Sequence, residues 1–223
     1  TGVRANRTSG SQDGASAVFL LGDECALAAL TVENTGTSGI SNAVLVQNAS
    51  SSTRLFDVEA RCEGSGGAGH AALRIADGHP VAERCAFHAS GAPVVSAAVS
   101  CVDSSGAFAQ PTFRGCTIEA RDAGSGIGLA LSNSAPDLFH SKIVGWQTGI
   151  RADVIGISEV VGCRVETLGI NPVYTTSGSA AMLSAHTVFV GGSPSGLSTS
   201  FKYVHCAKAN YDPVVNGFGS SIE

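Results

Sequence analysis

The chain has 223 residues, of which 43% are hydrophobic, enough to bury a substantial core. Only 14% are charged and 28 are glycine, a composition that favours short strands and tight turns over long helices. The formal net charge is -5 and no run of Lys or Arg occurs, so nucleic acid and anionic membranes are not expected as partners. No apolar segment reaches the roughly 20 residues of a transmembrane helix, so no membrane insertion is expected.

Seven short segments of alternating polar and apolar residues recur along the chain and predict strands with one buried face. In chain order they are ALTVEN (29–34), FDVEA (56–60), CAFHA (85–89), CTIEA (116–120), SKIVG (141–145), CRVET (163–167) and HTVFV (186–190). The expected inward pairs are Leu30 and Val32, Phe56 and Val58, Cys85 and Phe87, Cys116 and Ile118, Ser141 and Ile143, Cys163 and Val165, and, with a poorer fit, His186 and Val188.

A second series of strands lies between these segments: SNAVLVQNAS (41–50), GHAALRIADG (69–78), SAAVSCVDSS (96–105) and GIGLALSNSA (126–135). Its inward pairs are Val44 and Val46, Leu73 and Ile75, Val99 and Cys101, and Leu129 and Leu131. Each pair is followed two residues later by Asn or Asp, at Asn48, Asp77, Asp103 and Asn133. These residue types tolerate left-handed backbone, so the column predicts a repeated turn.

Two strand series that advance together, without helical periodicity, predict stacked coils in which each strand pairs with its equivalent in the next coil. We therefore predict an all-β solenoid of about seven or eight coils, a column roughly 35 Å long. The coils are expected over residues 27–192. Residues 1–26 are expected to form an N-terminal segment and first coil that continues from an upstream part, and residues 193–223 a capping strand and loop.

The strand pattern, the variable coil length and the Asx turns resemble the right-handed parallel β-helix proteins of the pectate-lyase-like superfamily. The resemblance covers Leu27 to about Gly192 and implies a single-stranded right-handed parallel β-helix. It also implies a rigid structural or adhesive module of a phage tail fibre or spike, or of a bacterial surface protein. Such a module would be located on the virion or cell surface and would contact surface polysaccharide or other protein subunits, for example in a homotrimer.

The seven cysteines are an odd number and contain no CxxC, which indicates neither a complete disulfide framework nor a zinc site. Cys85, Cys116 and Cys163 fall at one inward position, and Cys101 falls at an inward position of the second series. The pattern favours reduced, buried thiols that act as small apolar residues. Reduced thiols suit a virion protein assembled in a reducing cytoplasm.

The residue that follows the central β-branched position is expected to face outward. From strand to strand this column reads Glu33, Glu59, His88, Glu119, Val144, Glu166 and Phe189. One interpretation is a polysaccharide hydrolase in which Glu59, His88 and Glu119 are catalytic. Two coils would separate the carboxylates by roughly 9.6 Å, near the upper limit for an inverting glycosidase.

A related interpretation is a Ca²⁺-dependent lyase with Arg164 or Lys142 as the base, and no other cofactor is expected. The chain lacks the NTD, DD and RIK motifs of polygalacturonase-like enzymes, so whether it is an enzyme stays open, with the sequence favouring a non-enzyme. The alternative is a solvated wall whose carboxylates are neutralised by Arg61, Arg121, Lys142 and Arg164.

Four residues are candidates for contacting a glycan: Glu119, Glu166, Arg164 and Trp146. Trp146, the only Trp, follows a strand in VGWQTG and either stacks on a sugar ring or packs over the turn. The histidines at 70, 79, 140 and 205 show no metal-ligand spacing and are expected at surface or turn positions, so no metal site is predicted. A third alternative is a passive assembly subunit that docks through Val144, Phe189 and Val190.

Overall fold

The computed structural model describes residues 2–5, 16–36, 39–64, 69–91, 95–103, 108–121, 126–153, 156–169, 171–176, 180–192, 194–196 and 200–210. Within these ranges the secondary structure consists of strands and turns, and no helix is long and apolar enough to cross a membrane. The strands are β1 Gly2–Ala5, β2 Ser16–Leu21, β3 Ala26–Ala28, β4 Thr31–Asn34, β5 Ile40–Ala49, β6 Arg54–Phe56, β7 Glu59–Glu63, β8 Gly69–Gly78, β9 Val81–Glu83, β10 Ala86–Ser90, β11 Ser96–Val102, β12 Thr112–Arg114, β13 Thr117–Ala120, β14 Gly126–Ser132, β15 Asp137–Phe139, β16 Lys142–Gly145, β17 Thr148–Ala152, β18 Gly156–Val161, β19 Arg164–Thr167, β20 Asn171–Thr175, β21 Ala180–Ala185, β22 Val188–Val190, β23 Ser195–Gly196, β24 Ser200–Val204 and β25 Ala207–Lys208.

The strands form three parallel sheets, and consecutive members of each sheet are three strands apart in the chain. Sheet 1 has nine strands in the order β1-β4-β7-β10-β13-β16-β19-β22-β25, and sheet 2 has eight in the order β2-β5-β8-β11-β14-β17-β20-β23. Sheet 3 has eight strands in the order β24-β21-β18-β15-β12-β9-β6-β3. This topology confirms the predicted parallel β-helix. The proposed boundaries at 26/27 and 192/193 stay predictions, since strands on both sides of each belong to the same sheets.

The two predicted strand series correspond to sheets 1 and 2. In sheet 2 the predicted inward pairs lie in lateral register: Val44 and Val46 pair with Leu73 and Ile75, then with Val99 and Cys101, then with Leu129 and Leu131. At least three members of the predicted turn column are left-handed, with φ of 52° at Asn48, 57° at Asp77 and 51° at Asn133. Asn133 donates from its side-chain nitrogen to Asp103 of the preceding coil at 2.6 Å.

The sequence patterns did not predict the third sheet. Its early strands contain only three residues and are separated from the strands of sheet 1 only by a short corner. A corner of two residues separates each sheet 3 strand from the following sheet 1 strand. The first corner residue is left-handed in all eight coils: Ala29, Asp57, Arg84, Gly115, His140, Gly162, His186 and His205, with φ between 49° and 63°. The second corner residue turns its side chain inward. The predicted segments FDVEA and HTVFV therefore contain a corner as well as a strand.

This corner changes the predicted side-chain orientations in two segments, FDVEA and HTVFV; in the latter, His186 and Val188 were expected inward, but His186 is exposed and Val188 only partly buried. Phe56 was expected in the core, but it ends β6 before the left-handed Asp57, is 37% exposed and lies beneath the Arg84 guanidinium at 3.9 Å. Phe189 was expected to face outward, but it pairs with Val165 and is fully buried. In both segments the corner shifts the inward and outward positions relative to the simple alternation.

The core is one continuous column of inward side chains. In sheet 1 it runs through Val32, Ala60, Phe87, Ile118, Ile143, Val165 and Phe189, each paired with the next and each fully buried. Two aromatic pairs cross the interior from sheet 1 to sheet 3. Phe87 packs edge to face on Phe113 with ring centroids 6.2 Å apart, and Phe189 packs on Tyr203 at 5.7 Å. This continuous packing makes the coils a rigid support for outward side chains.

The left-handed corner generates a stability prediction at Ala29, which has φ of 51°. An L-residue in this conformation is strained by about 1–2 kcal/mol relative to glycine, whereas glycine adds about 0.4–1 kcal/mol of unfolded-state entropy. We expect Ala29→Gly to leave stability unchanged or raise it by up to about 1 kcal/mol. Its neighbour Ala28, also exposed but within β3, is the matched control, and Ala28→Gly should destabilise by about 0.5–1 kcal/mol. Urea unfolding of the two variants measures the difference, and equal destabilisation by both would contradict the corner geometry.

Candidate functional site

The outward wall of sheet 1 carries the column of charged residues that the sequence identified, with two changes: Arg61 takes the place of Glu59, and Val190 that of Phe189. Glu59 was expected between Glu33 and His88, but that position belongs to Arg61, while Glu59 pairs with Thr31 and Ala86. The register of this segment is shifted by two residues relative to the prediction, because Asp57 and Val58 form the corner and β7 begins only at Glu59. The column therefore reads Arg4, Glu33, Arg61, His88, Glu119, Val144, Glu166 and Val190.

The resulting column alternates basic and acidic residues over its first three positions, so it is not a ladder of carboxylates. Arg4 and Glu33 lie 3.2 Å apart across the first pair of strands. Alternation of sign between neighbouring strands is favourable where like charges would repel. The predicted neutralisation of this wall by basic residues is confirmed for Arg61, Arg121 and Arg164.

Three glutamates of this wall, Glu59, Glu119 and Glu166, each bond to an arginine two residues away on the same chain segment. Arg61 donates from Nε and Nη2 to Glu59 Oε1 at 2.9 and 2.5 Å, and Arg164 donates from Nε to Glu166 at 3.2 Å. Arg121 donates from Nε to Glu119 in the same manner. Residues two apart on a strand share a face, which places each pair side by side. These pairs are partly exposed, so each contributes at most about 1 kcal/mol.

His88 and Glu119 are the two proposed catalytic residues that the structure brings together. His88 Nδ1 lies 3.4 Å from Glu119 Oε2 across β10 and β13. They line a shallow depression of about 310 Å³ together with Arg61, Glu63, Ser90 and Arg121. Glu59 is not part of it. The register places the Cα atoms of Glu59 and Glu119 two coils and two residues apart, about 12 Å, instead of directly above one another.

The inward corner position forms a second ladder, built from thiols and hydroxyls. It contains Cys85, Cys116, Ser141, Cys163, Thr187 and Cys206 on consecutive coils, linked by backbone bonds such as Thr117 N to Cys85 O at 2.9 Å. Each side chain donates to the carbonyl two residues before it. Cys85 Sγ reaches Glu83 O at 3.3 Å, and Ser141 Oγ reaches Phe139 O at 2.9 Å. The prediction that these cysteines are buried is confirmed, and each thiol has a carbonyl acceptor that also accepts a backbone N–H from the preceding coil.

All seven cysteines are free thiols, and six of them are buried. Burial raises the pKa of Cys62 and of Cys163 to about 11, because the thiolate is poorly solvated there. Cys62 also belongs to a buried polar cluster in which Ser41 Oγ lies 3.3 Å from Cys62 Sγ and 2.5 Å from His70 Nδ1. His70 was expected at a surface or turn position, but it is 3% exposed and lies in β8. Because Ser41 and Cys62 are both fully enclosed, neither is accessible as a nucleophile.

A cleft lies where Trp146 was predicted as a glycan contact. It has a volume of about 440 Å³ and is lined by Trp146, Gln147, Thr148, Arg151, Gly169, Asn171 and Tyr174. Trp146 and Gln147 form the corner between β16 and β17, and this two-residue connection brings the indole to the edge of sheet 2. Trp146 is 39% exposed and Tyr174 38% exposed. Two partly exposed aromatic rings thus line one cleft with amide side chains.

Arg151 and Tyr174 lie side by side in this cleft, because they pair in register between β17 and β20. Arg151 donates from Nε to Asp153 at 3.2 Å, and the same Asp153 oxygen accepts the Thr176 hydroxyl at 2.7 Å. These bonds orient the guanidinium. Arg151 is the only charged residue among those that line the cleft, and Asp153 beside the cleft pairs with its charge.

The sequence identified only one residue of this cleft. The outward orientation of Tyr174 and Arg151 follows from the alternation within their strands. Their proximity cannot be predicted in this way, because it depends on the pairing of β17 with β20. The other proposed glycan contacts lie elsewhere on sheet 1. Glu119 and Glu166 are separated by Val144, and Arg164 pairs laterally with Lys142. The docking patch proposed for a passive subunit is largely inaccessible, since Val144 is 5% exposed and Phe189 is fully buried.

Within the described ranges, no group of three or more His, Cys, Asp or Glu side chains converges on a point where a metal ion could bind. No protein-family model matches the chain, and no curated protein is significantly similar to it in sequence.

Thiol labelling tests the assignment of the cysteines. At pH 8 in native buffer we expect Ellman's reagent to modify one thiol rapidly, Cys25, which is the only cysteine that is not buried. The other six should react only in denaturant, because burial limits access and, for Cys62 and Cys163, the raised pKa leaves little thiolate.

Two variants sharpen this measurement. Cys25→Ser should abolish the rapid reaction, whereas Cys163→Ser should preserve it, because Ser141 already occupies the equivalent corner position on the adjacent coil. Rapid reaction of two or more thiols in the native protein would contradict the structure.

Proposed function

We propose that this protein is a rigid adhesive β-helix module that contacts surface glycans, of the type found in phage tail fibres and spikes or in bacterial surface proteins. We also propose that the protein belongs to the pectate-lyase-like superfamily and is located on the virion or cell surface. Assembly with other protein subunits, for example as a homotrimer, belongs to the same proposal.

The observation that carries the proposal is the cleft between Trp146 and Tyr174. Aromatic faces pack against the apolar C–H faces of sugar rings, while donors around them bind hydroxyl groups. Gln147, Thr148 and Asn171 supply such polar groups at the cleft wall. A volume of about 440 Å³ is within the range of small-ligand sites.

The support beneath the cleft favours binding without rearrangement. Arg151, Asn171 and Tyr174 lie on paired strands of sheet 2, whose inward residues Ile150 and Val173 are buried in the core. Side chains held on packed strands lose little conformational entropy on binding. Arg151, whose Nε is held by Asp153, adds guanidinium N–H groups, which are hydrogen-bond donors suited to the hydroxyl and carboxylate oxygens of sugars.

Substitution of the indole tests the proposal. In glycan-array and calorimetric titrations with neutral and acidic bacterial polysaccharides, Trp146→Ala should weaken binding at least tenfold, about 1.4 kcal/mol, because the stacking surface is lost. Phe56→Ala is the matched control, since Phe56 is a similarly exposed aromatic residue on sheet 3. Equal binding by the two variants, or no binding by the unmodified protein, would refute the glycan site.

A second candidate function is that of a polysaccharide hydrolase or lyase. It rests on the contact between His88 and Glu119, which line the same depression. The bond from Arg121 and the absence of Glu59 from the depression weigh against it, because the Glu119 carboxylate is already engaged and its predicted partner carboxylate lies elsewhere.

Enzyme assays separate the two functions. Reducing-end and unsaturated-product assays on the polysaccharides that bind should detect no turnover by the unmodified protein. Turnover that disappears in Glu119→Gln, with binding retained, would establish the enzyme and overturn the purely adhesive function.

A further inference from the structure

The left-handed corner between sheets 3 and 1 carries histidine in the last two described coils. His186 and His205 occupy the same corner position, with φ of 50° and 49°. The backbone bond from His186 N to Val204 O, 2.9 Å long, sets their coils in register. Both side chains are exposed. The following residues, Thr187 and Cys206, turn inward and donate to backbone carbonyls, which leaves the outer side of the corner to the two imidazoles.

The two imidazoles are close enough to bind one ion together. Their ring centroids are 5.1 Å apart and their planes are inclined at 43°. Equivalent residues on adjacent strands are separated by about 4.8 Å. Residues i and i+4 on a helix have a similar Cβ separation of about 5–6 Å, and histidines with that spacing bind zinc in helical metal sites. Rotation about the exposed side-chain bonds would turn one nitrogen of each ring towards a shared ion.

The ligand type of the pair favours a divalent d-block cation over Ca²⁺ or Mg²⁺. Imidazole nitrogen is a ligand for Zn²⁺, Ni²⁺ and Cu²⁺, whereas Ca²⁺ and Mg²⁺ require oxygen ligands. Cys206 is not available as a third ligand, because its thiol is buried and donates to Ser184 O at 3.4 Å. Water would complete the coordination.

We propose that His186 and His205 form a surface site for a divalent d-block cation such as Zn²⁺, and that the bound ion ties the last described coil to the coil before it. His205 lies in the corner before β25, the last described strand of sheet 1, and His186 lies in the corner before its neighbour β22. Because the two histidines are adjacent only in the folded coil, the ion binds the native state in preference to the unfolded chain and stabilises it. The site is independent of the proposed glycan function.

Calorimetric titration of the full chain with ZnCl₂, after removal of trace metals, tests the site directly. We expect one saturable site per chain, no equivalent response to MgCl₂, and a Zn²⁺-dependent rise in melting temperature. His186→Asn and His205→Asn should each weaken Zn²⁺ binding at least tenfold and abolish the rise. Asn tolerates the left-handed conformation, so both variants keep the corner.

His140→Asn is the matched control, because His140 has the same left-handed corner geometry, φ of 49°, but lies two coils before His186. It should bind Zn²⁺ as the unmodified protein does. A second measurement uses the unmodified protein. When Cu²⁺ is added, paramagnetic broadening of the NMR signals should be strongest around His186 and His205. Absence of saturable Zn²⁺ binding, binding unchanged in both Asn variants, or broadening centred elsewhere would overturn the proposal.

Discussion

The structure depends on backbone hydrogen bonds between coils, because each strand pairs with its equivalents in the neighbouring coils and not with the strand that follows it in the chain. Lys142 N bonds to Cys116 O and Arg164 N to Ser141 O, at 2.8 and 3.0 Å, and this pattern repeats at the corner of every coil. A coil alone leaves these groups unsatisfied, which is costly once they are buried. Stability therefore comes from stacking, and side chains in one column are held at a constant separation set by the strand spacing.

The corner between sheets 3 and 1 explains a sequence feature that superficially suggests chemistry, the Gly-Cys pair in RGCTIEA (114–120) and VGCRVET (161–167). Gly115 and Gly162 adopt the left-handed conformation, and the following cysteines turn inward to donate to carbonyls. Three residues beyond each cysteine, Glu119 and Glu166 face outward and bond to arginine. Thiol and carboxylate are thus on opposite sides of the wall, and each has a structural partner.

The sequence predicted the parallel β-helix and the inward pairs of sheet 2, because long strands such as SNAVLVQNAS show alternation over many residues. It did not predict sheet 3, whose short strands merge with the next corner, and it misplaced Glu59 and Phe189, because corner residues as different as Ala29, Asp57 and His186 give no common signal. Of the cleft it predicted Trp146 alone. The proximity of Arg151 and Tyr174 follows from the pairing of coils, which depends on connection lengths that alternation does not specify.

The connections between sheets differ sharply in how much length variation they accept. Every link from sheet 3 to sheet 1 has two residues, whereas links from sheet 1 to sheet 2 range from two to ten and links from sheet 2 to sheet 3 reach nine, between Val102 and Thr112. Insertions are thus accommodated along two edges of the column, while the third acts as a fixed spine. A protein built this way can diversify its exposed loops, or accept grafted peptides, one coil at a time without disturbing the stacking of its neighbours.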